Sequence, residues 1–301
     1  MQSASTIAMI RPAAFGYNQQ TAVNNHFQDK NQVDNEALQP LALQEFDAMV
    51  ALLKEKKIEV IVLQDTASPA KPDAVFPNNW FTCRDAVLHV FPMYAPNRRL
   101  EKRKELIEEL KDKTGCKIIK DWSSYESKGL FLEGTGSMIF DHENKCVYAC
   151  LSSRTNKQLF TLYASEINYK AICFEASDEM GNEIYHTNVM MCIGSGYAIV
   201  CMDAVKNTAE KKLLLEQLHN TGHKVVSISF SQMKSFAGNM LQLTGKDAVQ
   251  YLLMSRTAYR SLSSIQLQEL ETFSSLIVPD VSAIEKAGGG SVRCMVAEIF
   301  N

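Results

Sequence analysis

LFLEGTGSMIF, residues 130–140, sets one carboxylate, Glu133, between an apolar run and a glycine-marked turn that opens a second apolar run. Four other stretches share this form: AVFPNNWFT (74–82), YHTNVMMCI (185–193), AGNMLQL (237–243) and GGGSVRCMVAEIF (288–300). Each carries a polar residue near the start of its second run. These residues, Asn79, Glu133, His186, Asn239 and Cys294, stand 54, 53, 53 and 55 positions apart. Upstream of each lies a charged or amphipathic segment of helical character followed by a β-rich run, as in EELKDKTGCKIIK (108–120) and EQLHNTGHKVVSIS (216–229). In those two, Gly115 and Gly222 stand where a left-handed residue closes a helix. A third apolar run follows clearly in three units: AVLHVFP, KCVYACL and YAIVCM. A recurrence near fifty residues is the signature of a propeller or array. The expected fold is α/β, a five-bladed α/β propeller of pseudo-fivefold ββαβ repeats forming one domain over residues 1–301. Closure would bring equivalent positions together at the axis and leave few exposed sheet edges.

Composition fits a compact globule, with 46% hydrophobic and 22% charged residues. A net charge of −3 offers no basic excess to neutralise phosphates, which argues against nucleic acid or an anionic membrane as partner. Arg98, Arg99, Lys102, Arg103 and Lys104 are interleaved with Glu101, Glu105, Glu108 and Glu109 and read as a solvated helix face. No apolar run reaches bilayer length, and MQSASTIAMIRP lacks a signal-peptide core, so a cytoplasmic setting is expected. The eight cysteines fit it, being scattered with no C-x-x-C pair. His142, Cys146 and Cys150 lack an evident fourth ligand, so no metal is expected, and no cofactor. A homodimer is compatible with the sequence and is not specified by it.

Cys294 follows three glycines, Gly288 to Gly290, which permit close approach to a ligand, and adjoins Arg293, whose charge would favour a thiolate. Singly, Cys294 reads as a core cysteine, His186 as a core histidine and Glu133 as a turn carboxylate. In one register they read as nucleophile, acid/base and orienting carboxylate. Asp73, in PDAVFPNN, starts a segment converging on the same place, and FGYNQQTAVNNHFQ (15–28) reads as a lid.

The order Asp-Ala-Val-Phe, Leu-Glu-Gly, a His before an apolar strand and a Cys after a glycine run resembles the pentein superfamily. The similarity is greatest to its arginine-deiminase-related branch of citrulline-utilisation hydrolases, through RPAAFGYN, TAVNNHFQ, FPNNWF, LEGTGSM, SSRTN, HTNVMM and GGGSVRCM. The resemblance implies a fivefold α/β propeller with Cys294 as nucleophile, His186 as general acid/base and Glu133 as the carboxylate that orients substrate nitrogens. It also implies Asp73 as a second acidic position and Arg154 near the carboxylate end of a small-molecule substrate. Where guanidinium-processing relatives have Asp, this chain has Asn79 and Asn188, and Gly136 replaces the acid of a Glu-Gly-Gly-Asp pattern. Neutral residues suit a ureido group such as that of citrulline better than a guanidinium. Arginine deimination, dimethylarginine hydrolysis and amidino transfer are the enzymatic alternatives; a ribosome-binding module is the non-enzymatic one. Asn239 has the register without a role.

Overall fold

The structure, a computed structural model, describes residues 1–28 and 35–300. Thr6–Arg11 (β1) leads through a helix over Asn35–Glu55 to Glu59–Gln64 (β2), which pairs parallel to β1. Phe81–Arg84 (β3) and Val87–Val90 (β4) form an antiparallel hairpin, and the helix Lys104–Thr114 returns the chain to Ile118–Asp121 (β5), parallel to β4. The hairpin turns on two residues, Asp85 and Ala86, both with positive φ (52° and 59°), the conformation whose twist matches that of paired strands.

The same order recurs in Ile139–Asp141 (β6), Cys146–Leu151 (β7), the helix Lys157–Glu166 and Lys170–Glu175 (β8). It recurs in Met191–Gly194 (β9), Tyr197–Val200 (β10), the helix Thr208–Asn220 and Lys224–Ser227 (β11). Leu241–Thr244 (β12), Gln250–Leu253 (β13), the helix Ser264–Glu271 and Ser275–Ile277 (β14) repeat it once more. Ala297–Phe300 (β15) pairs antiparallel with β1, so a fifth unit is assembled from the two ends of the chain. β15 also pairs with β3 and joins two units into a six-stranded sheet, β2-β1-β15-β3-β4-β5. The first strands of successive units lie side by side, β6 against β9 and β9 against β12.

Each helix covers its sheet with an apolar stripe. In Lys104–Thr114 the buried residues are Leu106, Leu110 and Thr114, at four-residue spacing, and Gly115 closes the helix at φ +71°. Gly222, at φ +80°, does the same after Thr208–Asn220. The strands that the sequence pattern had not marked are β13 and β1. The second is separated from its hairpin partner by nearly the whole chain.

Two expectations need correction. Cys83 on β3 and Cys116 before β5 form a disulfide across 33 residues, which the scattered spacing had concealed. Arg98 and Glu101 do not lie on a solvated face: they are 3% and 2% exposed, while Lys104, Glu105, Glu108 and Glu109 are exposed as expected. Among the described residues no helix is long and apolar enough to cross a membrane.

His89 on β4 is buried near the rings of Phe91, Trp122 and Tyr163, and its Nδ1 accepts from Trp122 Nε1 at 3.2 Å. Burial, helped by Lys120, pushes its pKa from 6.5 down to about 4. Between those values the unfolded chain binds a proton that the folded chain does not, so this contribution to stability is lost as pH falls. His89→Gln lacks that loss. The difference in unfolding free energy between wild type and variant is therefore expected to narrow by up to about 3 kcal/mol across this window, measured by urea denaturation at a series of pH values. A pH-independent difference would refute the assignment.

Candidate active site

Each register residue stands in a turn shortly before the first strand of its unit, though not at the same position within it. Trp80 N–H bonds to Pro77 O, Gly136 to Glu133 O, Val189 to His186 O, Asn239 to Phe236 O and Cys294 to Ser291 O. Turns at the same end of five first strands bring residues distant in sequence together.

Cys294, His186, Asn79, Asp73 and Arg154 line one cavity of about 20 Å³, along with Arg98, Tyr185 and the glycines 288–290. A roomier cavity of about 220 Å³ lies elsewhere, lined by Arg84, His89, Tyr163 and Phe300, and holds none of the register residues. Glu133 is fully buried; its Oε2 lies 2.7 Å from His186 Nε2 and 3.6 Å from Arg154 Nη1, and its Oε1 accepts from the Tyr94 N–H at 2.8 Å. Burial alone would raise the Glu133 pKa, but Arg154, His186 and Arg98 outweigh it and hold the carboxylate ionised, well below its usual range. Burial pushes the His186 pKa down against the opposing pull of Glu133. The imidazole is thus neutral at neutral pH and donates its Nε2–H to the carboxylate.

Gly136 is required by close approach. A Cβ there would meet the Asn79 side-chain amide and lie 2.8 Å from the His186 ring. The missing acid of the Glu-Gly-Gly-Asp pattern therefore leaves room that Asn79 and His186 fill.

Asn79 Oδ1 accepts from Arg98 Nη1 at 2.6 Å. Arg98 also donates to Glu101 at 2.8 and 2.9 Å and lies 3.8 Å from Asp73. The Arg98-x-x-Glu101 spacing just after the apolar run 91–95 was the available sign of this buried pair. Asp73 accepts from Asn18 and Thr21 on Oδ2, while its Oδ1 has no partner. Burial raises its pKa, with Arg98 opposing. Arg154 is 2% exposed, hydrogen-bonds Asn24 and Thr21 O, and stacks its guanidinium 4.7 Å from the centre of the Tyr185 ring.

Cys294 and His186 line the same cavity yet share no hydrogen bond. Cys294 Sγ accepts instead from the amides of Asn188 at 3.4 Å and Asn239 at 3.2 Å. Arg293 does not support Cys294 as expected: its side chain donates to Val296 O and Glu298, both at 3.0 Å. Segment 15–28 closes over the cavity through Asn18, Thr21 and Asn24, and through Asn25 and Gln28, which donate to Gly288 O at 3.3 and 3.1 Å.

A sequence model of the family described as N,N dimethylarginine dimethylhydrolase, eukaryotic, matches residues 11–301. No curated protein matches the chain in sequence. Among solved structures, the substrate-bound N-terminal domain of ArgZ, an arginine dihydrolase from the ornithine-ammonia cycle in cyanobacteria, has a TM-score of 0.76 at 16% identity, covering 98% of each chain. AgrE in complex with L-arginine has a TM-score of 0.75 at 16% identity, over 98% of this chain and 40% of its own. DDAH from Pseudomonas aeruginosa, complexed with citrulline, has a TM-score of 0.67 at 15% identity, over 98% and 99%. At such identities the likeness carries the fold. The sequence match, running over nearly the whole chain and agreeing with that fold, makes this protein a member of the family N,N dimethylarginine dimethylhydrolase, eukaryotic, within the pentein superfamily of hydrolases acting on non-peptide C–N bonds.

Proposed function

We propose that this chain is a cysteine-dependent hydrolase of a small amino acid bearing a ureido or guanidino group, with citrulline as its preferred substrate and ornithine, ammonia and carbon dioxide as products. One observation carries the choice. Arg98 is bonded to Asn79 inside the cavity, and Arg154 also lines it, so the site already contains two buried guanidinium cations. Their carboxylate partners, Glu101, Asp73 and Glu133, are engaged with them. A substrate guanidinium would be a third cation in this small space, with only the unpaired Asp73 Oδ1 left to receive it, and its desolvation opposes binding. A neutral ureido group avoids that cost and can pair with amide side chains.

In this reading the Cys294 thiolate, its proton already released to solvent, attacks the ureido carbon, forming an S–C bond. His186 passes a proton taken up from solvent to the departing amine as the C–N bond breaks, and ornithine leaves. Water then gives a proton to His186 and adds to the carbamoyl thioester; the C–S bond breaks, and the carbamate released decomposes to ammonia and carbon dioxide. Glu133 holds the His186 tautomer, Asp73 offers its unpaired Oδ1 to a substrate N–H, and Arg154 binds the amino-acid end. Asn188 lies beside Cys294 at the reacting carbon. Since the cavity has room for little more than a water molecule, segment 15–28 must open to admit a substrate. The five units act in this reading as blades of one propeller domain. The pairing of β1 with β15 and the cavity shared by Asn79, His186 and Cys294 support that arrangement.

A guanidino substrate, arginine or dimethylarginine, is the second reading, favoured by the family match and by the free Asp73 Oδ1. Parallel assays of citrulline, arginine and dimethylarginine decide between them. The expected result is a kcat/KM for citrulline about 100-fold or more above the others, the factor that an unpaired buried charge imposes. A higher value for either guanidino compound would overturn the substrate assignment.

A further inference from the structure

Asn239 has the register of the site residues and no task in the chemistry above. Its side chain lies between backbone and sulfur: Oδ1 accepts from the Arg293 N–H at 3.1 Å, and Nδ2 donates to Asn188 O at 3.0 Å and to Cys294 Sγ at 3.2 Å. An amide's oxygen and nitrogen have the same shape, so the partners must decide which one faces the sulfur. Here a backbone donor on one side and a backbone acceptor on the other fix the answer: an N–H faces Sγ. Asn188 adds a second amide at 3.4 Å. Both asparagines are buried, at 2% and 0% exposure, and Arg293 is committed to Glu298 and Val296.

A neutral thiol is a weak acceptor, whereas an anionic sulfur accepts strongly. Two buried donors converging on one sulfur therefore favour its ionised form, as preorganised donors favour any anion in a site that excludes water. We propose that Asn239, with Asn188 as second donor, is a catalytic residue that holds the Cys294 thiolate ionised and in place before substrate binds. Ionisation releases the Sγ proton to solvent and transfers no electrons. The proposal rests on the reading of Cys294 as nucleophile and deepens it. A site that stabilises its own thiolate has no need of a cationic substrate to do so, which is what a neutral ureido substrate demands.

The test uses the full chain without substrate. Asn239→Asp keeps the acceptor for the Arg293 N–H and the side-chain volume, but removes the donor and sets an oxygen toward the sulfur. Asn188→Leu removes the second donor at similar volume. Labelling by iodoacetamide at neutral pH is followed on the Cys294 peptide by mass spectrometry, with the half-exposed Cys173 as internal reference. Ultraviolet thiolate absorbance, taken against Cys294→Ser, gives the ionised fraction without reagent. In wild type, Cys294 is expected to label faster than Cys173. Asn239→Asp is expected to slow Cys294 by about 10- to 100-fold, the factor for one hydrogen bond to an ionised group, and to lower the thiolate absorbance, with Cys173 unchanged. A merely loosened fold would instead expose the buried Cys150 and Cys192 to label, and Asn188→Leu then decides. Fast labelling of Cys294 in wild type and in both variants would overturn the donor role alone. Slow labelling of Cys294 in wild type together with no thiolate absorbance against Cys294→Ser would overturn the nucleophile reading, and the donor role with it.

Discussion

Cys294→Ser is expected to lower citrulline turnover on the order of 10⁴-fold or more, a larger effect than any other single change here. The reason is geometric as well as chemical. A serine hydroxyl must give up its proton to a base as it attacks, yet the groups within hydrogen-bond distance of Sγ are the amide donors of Asn188 and Asn239. His186, the candidate base lining the same cavity, is bonded to Glu133 and makes no hydrogen bond to residue 294. A thiol, far more acidic than an alcohol, can attack as an anion without such a base; a hydroxyl cannot. Intact-protein mass spectrometry after incubation with citrulline and an acid quench should give a carbamoyl adduct on the Cys294 peptide of the wild type and none in the variant. Retention of more than about a hundredth of wild-type activity by Cys294→Ser would show that the thiolate is not the nucleophile.

Glu133→Gln is expected to lose on the order of 10³-fold in kcat and about 3 kcal/mol of stability. The neutral amide matches the carboxylate in shape, so packing is preserved and the two losses have separate causes. Stability falls because Arg154, 2% exposed, loses its anionic partner at 3.6 Å and stays buried as an uncompensated cation. Activity falls because Glu133 accepts the His186 Nε2–H at 2.7 Å, leaving the other ring nitrogen free to take a proton. An amide N–H at that position would force the opposite tautomer, a change that disables histidine-dependent catalysis elsewhere by a comparable factor. Urea denaturation reads the first effect, and kcat measured well below the melting temperature reads the second. A variant with reduced stability and a kcat within about tenfold of wild type would make Glu133 an ion-pair residue with no part in positioning His186.

Much of the site was legible because it repeats. The recurrence of a turn before an apolar run identified Asn79, Glu133, His186 and Cys294, and the structure brings all four together with Asp73 and Arg154. Where the reading failed, the information was pairwise and distant. Arg98 looked like one charge in a solvated helix, because the groups that bury it, Asn79 and Asp73, are 19 and 25 residues away and reach it through folding. Arg293 looked like the thiolate's cation by adjacency, but its side chain turns to Glu298. Adjacency in sequence fixes a Cα separation and leaves side-chain direction open.

The sequence by itself determined the repeat, the α/β class, the helix ends at Gly115 and Gly222, and the residue types gathered at the site. These are local matters of period, propensity and backbone conformation, which a short window of chain contains. The tertiary structure alone decided that β1 completes the last unit, that Cys83 bonds Cys116, that Arg98 and Arg154 enter the pocket paired with Glu101, Asp73 and Glu133, and that Asn239 faces the sulfur. Each of these depends on which distant groups share a buried volume. In that volume a charge or a polar hydrogen takes its meaning from its partners.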